Sequence, residues 1–276
     1  MRAIILTNDV VRCAFFGPAQ NPKLKTNSIQ MKGNMNRFLT FLAALTIGPL
    51  ALLLETAQPV MADEQNSVTA IDIVLEPDAT MVKHAEAINE RLLKEYPKGF
   101  TLGTTHHPHI SCLQRYVKTA DLDKVYAAID KVLATEKPAH WKLTAHKYYY
   151  IPWKDIGLAG IVIEPTGDLI RYQKKLIDAV TPFTVETGTA AAYVTTREDP
   201  DINQPTIDYV TTFVPNETGE KFNPHVTVGL APQDYLRNLM EENFKPFTFS
   251  PTGVSVYHLG NFGTAREKLK GWKLKP

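Results

Sequence analysis

A short pattern that occurs twice constrains the fold of this chain more than any other feature. Residues 108–113 read Pro-His-Ile-Ser-Cys-Leu, and residues 224–230 read Pro-His-Val-Thr-Val-Gly-Leu. In each copy a proline and a histidine precede a β-branched apolar residue, a hydroxyl residue and further apolar residues. Side chains alternate between the two faces of a strand, so each histidine shares a face with the hydroxyl that follows it. The copies, whose histidines are 116 positions apart, therefore predict two similar strands that each bury one face.

This alternation gives the two faces of each strand different roles. The residues predicted to point into the core are Ile110, Cys112, Val226 and Val228. The residues predicted to share a cleft are His109, Ser111, His225 and Thr227. Two imidazoles and two hydroxyls in one cleft suit acid–base chemistry on a phosphoester, because imidazole titrates near neutral pH. The alternative interpretation is that both are ordinary strand histidines on a solvated face.

The surrounding segments alternate between strand and helix patterns. Strands are predicted near 68–75, 108–117, 141–153, 156–163, 224–230, 247–250 and 254–259. Apolar residues at helical spacing predict helices over 81–96, 122–133, 168–180 and 235–240, with Asp168 as a cap of the third. Each histidine strand is followed by a helix. We therefore expect one compact α+β domain with two similar lobes.

Residues 184–223 have the least regular pattern in the body of the chain. They are rich in threonine and contain Pro200, Pro205, Pro215 and Gly219. A long connection of this kind is often functional, so we expect it to form a lid or the rim of the cleft. A short strand is predicted within it at 210–214.

The first 62 residues contain the parts of a secretory signal peptide. Arg37 precedes an apolar run over 38–54, and Val60-Met61-Ala62 supplies small residues at the −3 and −1 positions of a cleavage site. An uncleaved membrane anchor is the alternative, since the apolar run of 17 residues is at the lower limit for a bilayer span.

These features divide the chain into three parts. We expect residues 1–34 to be an upstream extension, with translation starting at Met31 or Met35. Residues 35–62 are the predicted signal peptide, and 63–276 are the mature domain. The prediction is a periplasmic or secreted protein.

The charge and cysteine content narrow the function further. Residues 63–276 carry 24 basic and 27 acidic residues, a net charge of −3. Tight binding to long nucleic acid usually needs a basic face, so we expect no stable nucleic-acid complex. Only Cys112 would remain after cleavage, which leaves no intramolecular disulfide. The core alone must then stabilise the fold.

On these residues the body resembles the two-histidine phosphoesterases, the superfamily related to 2′-5′ RNA ligase and 2′,3′-cyclic phosphodiesterase. The resemblance covers about residues 68–275. It rests on the two motif strands, the β-α-β order before the first, and the closing strand at 254–259 with Gly260, Gly263 and Trp272. It implies a bilobal α+β fold in which two β-sheets face a central cleft with helices outside. It also implies that no metal or other cofactor is needed.

The resemblance implies roles for four residues. His109 and His225 would be the catalytic pair, and Ser111 and Thr227 would hold the phosphate. The leading hypothesis is an exported, metal-independent phosphodiesterase acting on 2′,3′-cyclic phosphate ends or small cyclic nucleotides. We expect it to act as a monomer on a small nucleotide or RNA end, without membrane contact after signal cleavage. The alternative is a noncatalytic protein that binds nucleotides or another phosphorylated ligand in the same cleft.

Two further residues are candidates for substrate binding. Strand alternation places Arg115 on the face of His109 and Ser111, where it could reach a phosphate or could equally be a surface arginine. Tyr150, in the run Tyr148-Tyr149-Tyr150, offers a ring on which a base can stack. The alternative for this aromatic run is packing in the core.

A zinc site is the rival interpretation of the first motif. His106, His107, His109 and Cys112 are zinc-ligand types close together in sequence. Their spacing matches no standard site, however, and alternation sends His109 and Cys112 to opposite faces. Zinc-dependent hydrolysis is therefore a third hypothesis, which a chelator would separate from the first.

Overall fold

The computed structural model describes residues 67–103, 105–197 and 199–275. The predicted extension at 1–34 and the signal peptide at 35–62 lie outside these residues. Within the described ranges no helix combines the length and apolar character that a membrane span requires.

Within the residues that the structure describes, nine strands form two antiparallel sheets. The strands are β1 Val68–Pro77, β2 Ile110–Lys118, β3 Leu143–Trp153, β4 Ile156–Ile163, β5 Thr184–Val185, β6 His225–Pro232, β7 Phe247–Phe249, β8 Pro251–Leu259 and β9 Ala265–Lys273. The first sheet has the order β5-β2-β1-β8-β9, and the second has the order β6-β4-β3-β7. The first motif lies at the start of β2 and the second at the start of β6, so each sheet carries one histidine. The predicted α+β architecture with two sheets is confirmed.

In the described part of the chain, five α-helices accompany the sheets: α1 Ala79–Glu95, α2 Leu122–Thr135, α3 Gly167–Val180, α4 Gln204–Asn216 and α5 Gln233–Glu241. One large apolar core joins one face of both sheets to helices α1, α2, α3 and α5 and to Phe213 of α4. The predicted core residues Ile110, Cys112, Val226 and Val228 are all fully buried in it. The cap of α3 is Thr166, which accepts from the amide of Leu169, and the predicted cap Asp168 lies inside the helix. Helix α3 therefore begins slightly earlier than the sequence pattern indicated.

Both motif strands contain a β-bulge just after the hydroxyl residue. Along β2 the pairing with β1 moves from Ser111 directly to Leu113, which leaves Cys112 as an extra residue. Along β6 the pairing with β4 moves from Thr227 to Gly229, which leaves Val228 extra. A bulge places two successive side chains on the same face. In each motif strand the histidine and the hydroxyl residue therefore share one face. After the bulge, the residues on that face are shifted by one position from those that simple alternation predicts.

The segment 184–223 contains a helix where the sequence suggested a strand. Residues 210–214, predicted as a strand, lie inside α4, which begins after Asn203, whose side chain accepts from the amide of Thr206. Val210 of α4 packs with Tyr116 and Leu259 on the face of the first sheet opposite the main core. Helix α4 thus covers one end of the face of the first sheet that carries the first motif.

Candidate active site

The two histidine rings are oriented by the same kind of hydrogen bond, from the ring to a backbone carbonyl two residues earlier. His109 Nδ1 lies 2.6 Å from the carbonyl oxygen of His107, and His225 Nδ1 lies 2.8 Å from that of Asn223. A carbonyl only accepts, so Nδ1 carries the hydrogen in both rings. In both copies the residue between is proline, whose fixed φ and influence on the preceding residue direct that carbonyl back toward the ring. Each ring is left with Nε2 as the nitrogen available for proton transfer.

A buried carboxylate, Asp72, lies beside the first histidine. Its Oδ2 is 3.7 Å from His109 Nε2 and accepts from Ser111 Oγ at 2.6 Å and from Gln114 Nε2 at 2.9 Å. Burial raises the pKa of Asp72, while the charge of His109 and the bonds from Ser111 and Gln114 oppose that rise. A positive charge on His109 would favour the ionised form of Asp72, whereas burial favours its neutral form.

The Ser111 hydroxyl, predicted to hold a phosphate, is engaged with Asp72. Ser111 lies in the site, but its hydroxyl hydrogen points at Asp72 in this structure. Thr227 lies on the inner face of β6, two residues after His225 and cross-strand from Gly160. The two residues thus differ in their surroundings: the Ser111 hydroxyl is hydrogen-bonded to Asp72, whereas Thr227 faces the same side of β6 as His225.

The second histidine lies in a more enclosed environment. Its ring centroid is 4.8 Å from that of Tyr149. The Tyr149 ring lies directly over Gly160. It could not do so over any larger residue, because a Cβ atom at position 160 would collide with the ring. Burial lowers the pKa of His225 to about 4, the bond to the Asn223 carbonyl opposes this, and the charge of His109 lowers it further. His225 is consequently neutral at pH 7, with a lone pair on Nε2.

The wall of the first sheet continues from Asp72 into a polar network. The ring centroids of Tyr257 and His109 are 6.5 Å apart, and Tyr257 contacts Glu76 through its hydroxyl. Burial opposes ionisation of Glu76, but hydrogen bonds from Lys268 and Ser255 outweigh it and lower the pKa of that carboxyl. This side of the cleft is therefore polar and carries ionised groups.

Two of the predicted substrate-binding residues are misplaced. Because of the bulge at Cys112, Gln114 rather than Arg115 shares the face of Ser111, and Arg115 instead donates to Thr184 Oγ1. The expectation that Arg115 lies beside His109 is wrong for this reason.

Tyr150 also points the other way. It packs against the main core, near Leu236 of α5 at Gly157. Its neighbour Tyr149 is the aromatic ring of the site. The sequence therefore identified the aromatic run correctly, but not which of its tyrosines faces the histidine.

The rival zinc cluster is not assembled by the fold. Cys112 is buried, with Sγ directed at the carbonyl of Ile110, and the His106 ring stacks on Phe100. Within the part of the chain that the structure describes, no three His, Cys, Asp or Glu side chains are grouped as metal ligands.

One buried amide connects the two motifs. Asn89 of α1 donates to the carbonyls of Phe100 and Val228, both at 2.9 Å, and accepts from the amide of Leu102 at 3.0 Å. The loop that leads to His109 and the strand that begins at His225 are therefore held to the same side chain. Sequence analysis missed Asn89 and Asp72, although each interrupts an apolar pattern. Asn89 lies next to Ile88 on the buried stripe of α1, and Asp72 lies within the otherwise apolar run 70–75 of β1.

Comparison with known proteins gives matches among solved structures. No family model and no curated protein matches the chain. E. coli LigT in its apo form is 12% identical, with a TM-score of 0.40, over 76% of this chain and 99% of that chain. The protein TT0787 of Thermus thermophilus is 13% identical, with a TM-score of 0.42, over 75% and 98%. LigT complexed with ATP is 15% identical, with a TM-score of 0.40, over 76% and 100%.

These identities and TM-scores are low, so the roles discussed below rest on the geometry of the two histidines.

Proposed function

We propose that this protein is a phosphodiesterase that hydrolyses cyclic phosphodiesters by acid–base catalysis between His225 and His109. The observation that carries the proposal is the pair of rings, each fixed through Nδ1 and each left with Nε2 for proton transfer. One ring is neutral because of its burial, and the other lies beside a carboxylate. Two such different environments allow one ring to act as a base while the other acts as an acid at the same pH.

The environments assign a role to each ring. In the proposed step His225 Nε2 removes a proton from water, and the water oxygen forms a bond to phosphorus. The bond from phosphorus to one ring oxygen breaks, its electron pair remains on that oxygen, and His109 Nε2 supplies the proton. Asp72 acts as counter-ion to the protonated His109, and the Thr227 hydroxyl donates to a nonbridging oxygen. The product is a phosphomonoester with a free hydroxyl.

Turnover of a panel of cyclic phosphodiesters, including 2′,3′-cyclic nucleotides, tests the proposal. We expect hydrolysis to continue in excess chelator. Because His225 must be unprotonated to act as base, and its pKa is about 4, kcat/KM should hold from pH 7 to about pH 5 and fall only below that. Tight nucleotide binding without turnover would instead support the noncatalytic alternative, and loss of activity with chelator would support a metal-dependent hydrolase.

We also propose that the protein acts outside the cytoplasm. The support is the basic, apolar and small-residue sequence of residues 35–62. Mass spectrometry of protein recovered from the periplasm or medium should give an N-terminus near Asp63. Full-length protein confined to the cytoplasm would contradict export without affecting the proposed chemistry.

A further inference from the structure

Five large apolar side chains lie on the histidine-bearing face of the second sheet and outside the core clusters. They are Ile151, Trp153, Ile156, Leu158 and Leu230, here called the apolar strip. Each is only partly buried. Folded chains normally cover a contiguous apolar surface of this kind or use it for binding.

The pairing of the strands places the strip directly next to the proposed catalytic groups. Thr227, Gly160 and Tyr149 are cross-strand neighbours in one row. Leu230, Leu158 and Ile151 form the next row on the same face, two residues along β4, which is about 7 Å. The strip is therefore a continuation of the surface that carries Thr227 and His225.

The strip ends at an aromatic contact with the other sheet. Trp153 and Ile156 pair at the end of the β3–β4 hairpin. The Trp153 ring lies 5.0 Å from that of Phe262, in the loop after β8. Phe262 is 41% exposed and has a φ of 57°, a conformation that is unfavourable for a side chain of this size. An exposed aromatic ring in a strained loop thus extends the apolar surface across the end of the cleft.

The charge distribution indicates what kind of group the strip accepts. Strands β4 and β6 contain no Asp, Glu, Lys or Arg. On β3 and just after it, two cations flank the strip: Lys147 lies in the row of His225, and Lys154 Nζ lies 5.1 Å from the centre of the Trp153 ring at the far end. A second phosphate of an oligonucleotide would require cations along this wall, and a base would require polar partners at its edge to be identified. Branched aliphatic side chains in two adjacent rows instead suit a flexible hydrocarbon chain.

We propose that the apolar strip binds the alkyl or acyl chain of an amphiphilic phosphodiester whose phosphate lies between His109 and His225. This inference rests on the proposed function, which places the phosphate between the two histidines. It adds the chemical class of the group attached to that phosphate. The polar wall of the first sheet, with Asp72, Glu76 and Lys268, would face the polar part of the same molecule.

The test compares glycerol 1,2-cyclic phosphate with its ether bearing an alkyl chain of about eight carbons, below the micelle concentration. Burial of several methylene groups should lower KM for the alkyl compound by about tenfold or more. Leu158→Ser and, separately, Ile151→Ser should remove most of this preference and leave kcat/KM for the chainless compound within about twofold. Ile170→Ser, on the outer helix α3, is the matched control and should keep the preference.

Calorimetric binding of the same two compounds to His225→Ala separates this inference from the proposed function. Suppose that the wild-type protein hydrolyses neither compound, but binds the alkyl compound more tightly than the chainless one and loses this preference in Leu158→Ser. The strip inference then stands and the proposed chemistry is wrong. If the wild-type protein hydrolyses both compounds with equal KM, His225→Ala binds both equally and the two strip variants change nothing, the strip inference is overturned while the chemistry stands.

Discussion

Alanine at His109 or His225 is expected to lower kcat/KM for a cyclic phosphodiester by about 10³-fold or more. Each substitution removes the only Nε2 at its position, and one positioned general acid or base typically contributes about 10²–10⁴-fold. The double variant should be little worse than either single variant, because acid and base act on the same step. Initial rates with 2′,3′-cyclic nucleotides measure this directly.

The matched control is His140→Ala, since His140 is exposed and lies in the connection after α2. It should retain wild-type turnover. Circular dichroism must show that the His109 and His225 variants remain folded. A double variant that is folded and still fully active would refute the assignment.

The second large effect is expected at Asn89. Asn89→Ala should lower the free energy of unfolding by about 3 kcal/mol, because it leaves two carbonyls and one amide without a partner in a buried environment. This is a large fraction of the stability of an ordinary domain. Urea denaturation followed by circular dichroism provides the measurement.

Because Asn89 holds the loop before His109 and the strand of His225, its loss should also affect turnover. We expect kcat to fall by about tenfold in conditions where the variant is fully folded, since small displacements of catalytic groups are costly. Asn238→Ala, on the exposed face of α5, is the control and should change stability by less than about 0.5 kcal/mol. Equal stability of the two variants would contradict the role of Asn89.

The motif pair was predictable because its structure is local. His109 and His225 are each anchored to a carbonyl two residues earlier, so a short stretch of sequence contains both the ring and its support. The strand alternation up to the hydroxyl residue is equally local. The sequence also sufficed for most helices and strands, because their apolar periodicity is strong.

The residues that sequence reasoning missed depend on contacts between distant segments. Asp72 reaches Ser111 across 39 positions, and Asn89 reaches Val228 across 139. The bulge at Cys112 reverses the phase of β2, which no alternation rule anticipates, and this misplaced Arg115. Tyr150 was mistaken for Tyr149 because three successive tyrosines leave the phase of β3 ambiguous.

The local anchoring of the two rings has a consequence for the proton inventory of a catalytic cycle. With Nδ1 occupied in both rings, each turnover by the proposed step leaves His225 protonated and His109 neutral, which is the reverse of the starting state. The enzyme must therefore recycle one proton before the next substrate reacts. An imidazole with a pKa of about 4 releases its proton readily near neutral pH, so the recovery of the base is intrinsically fast.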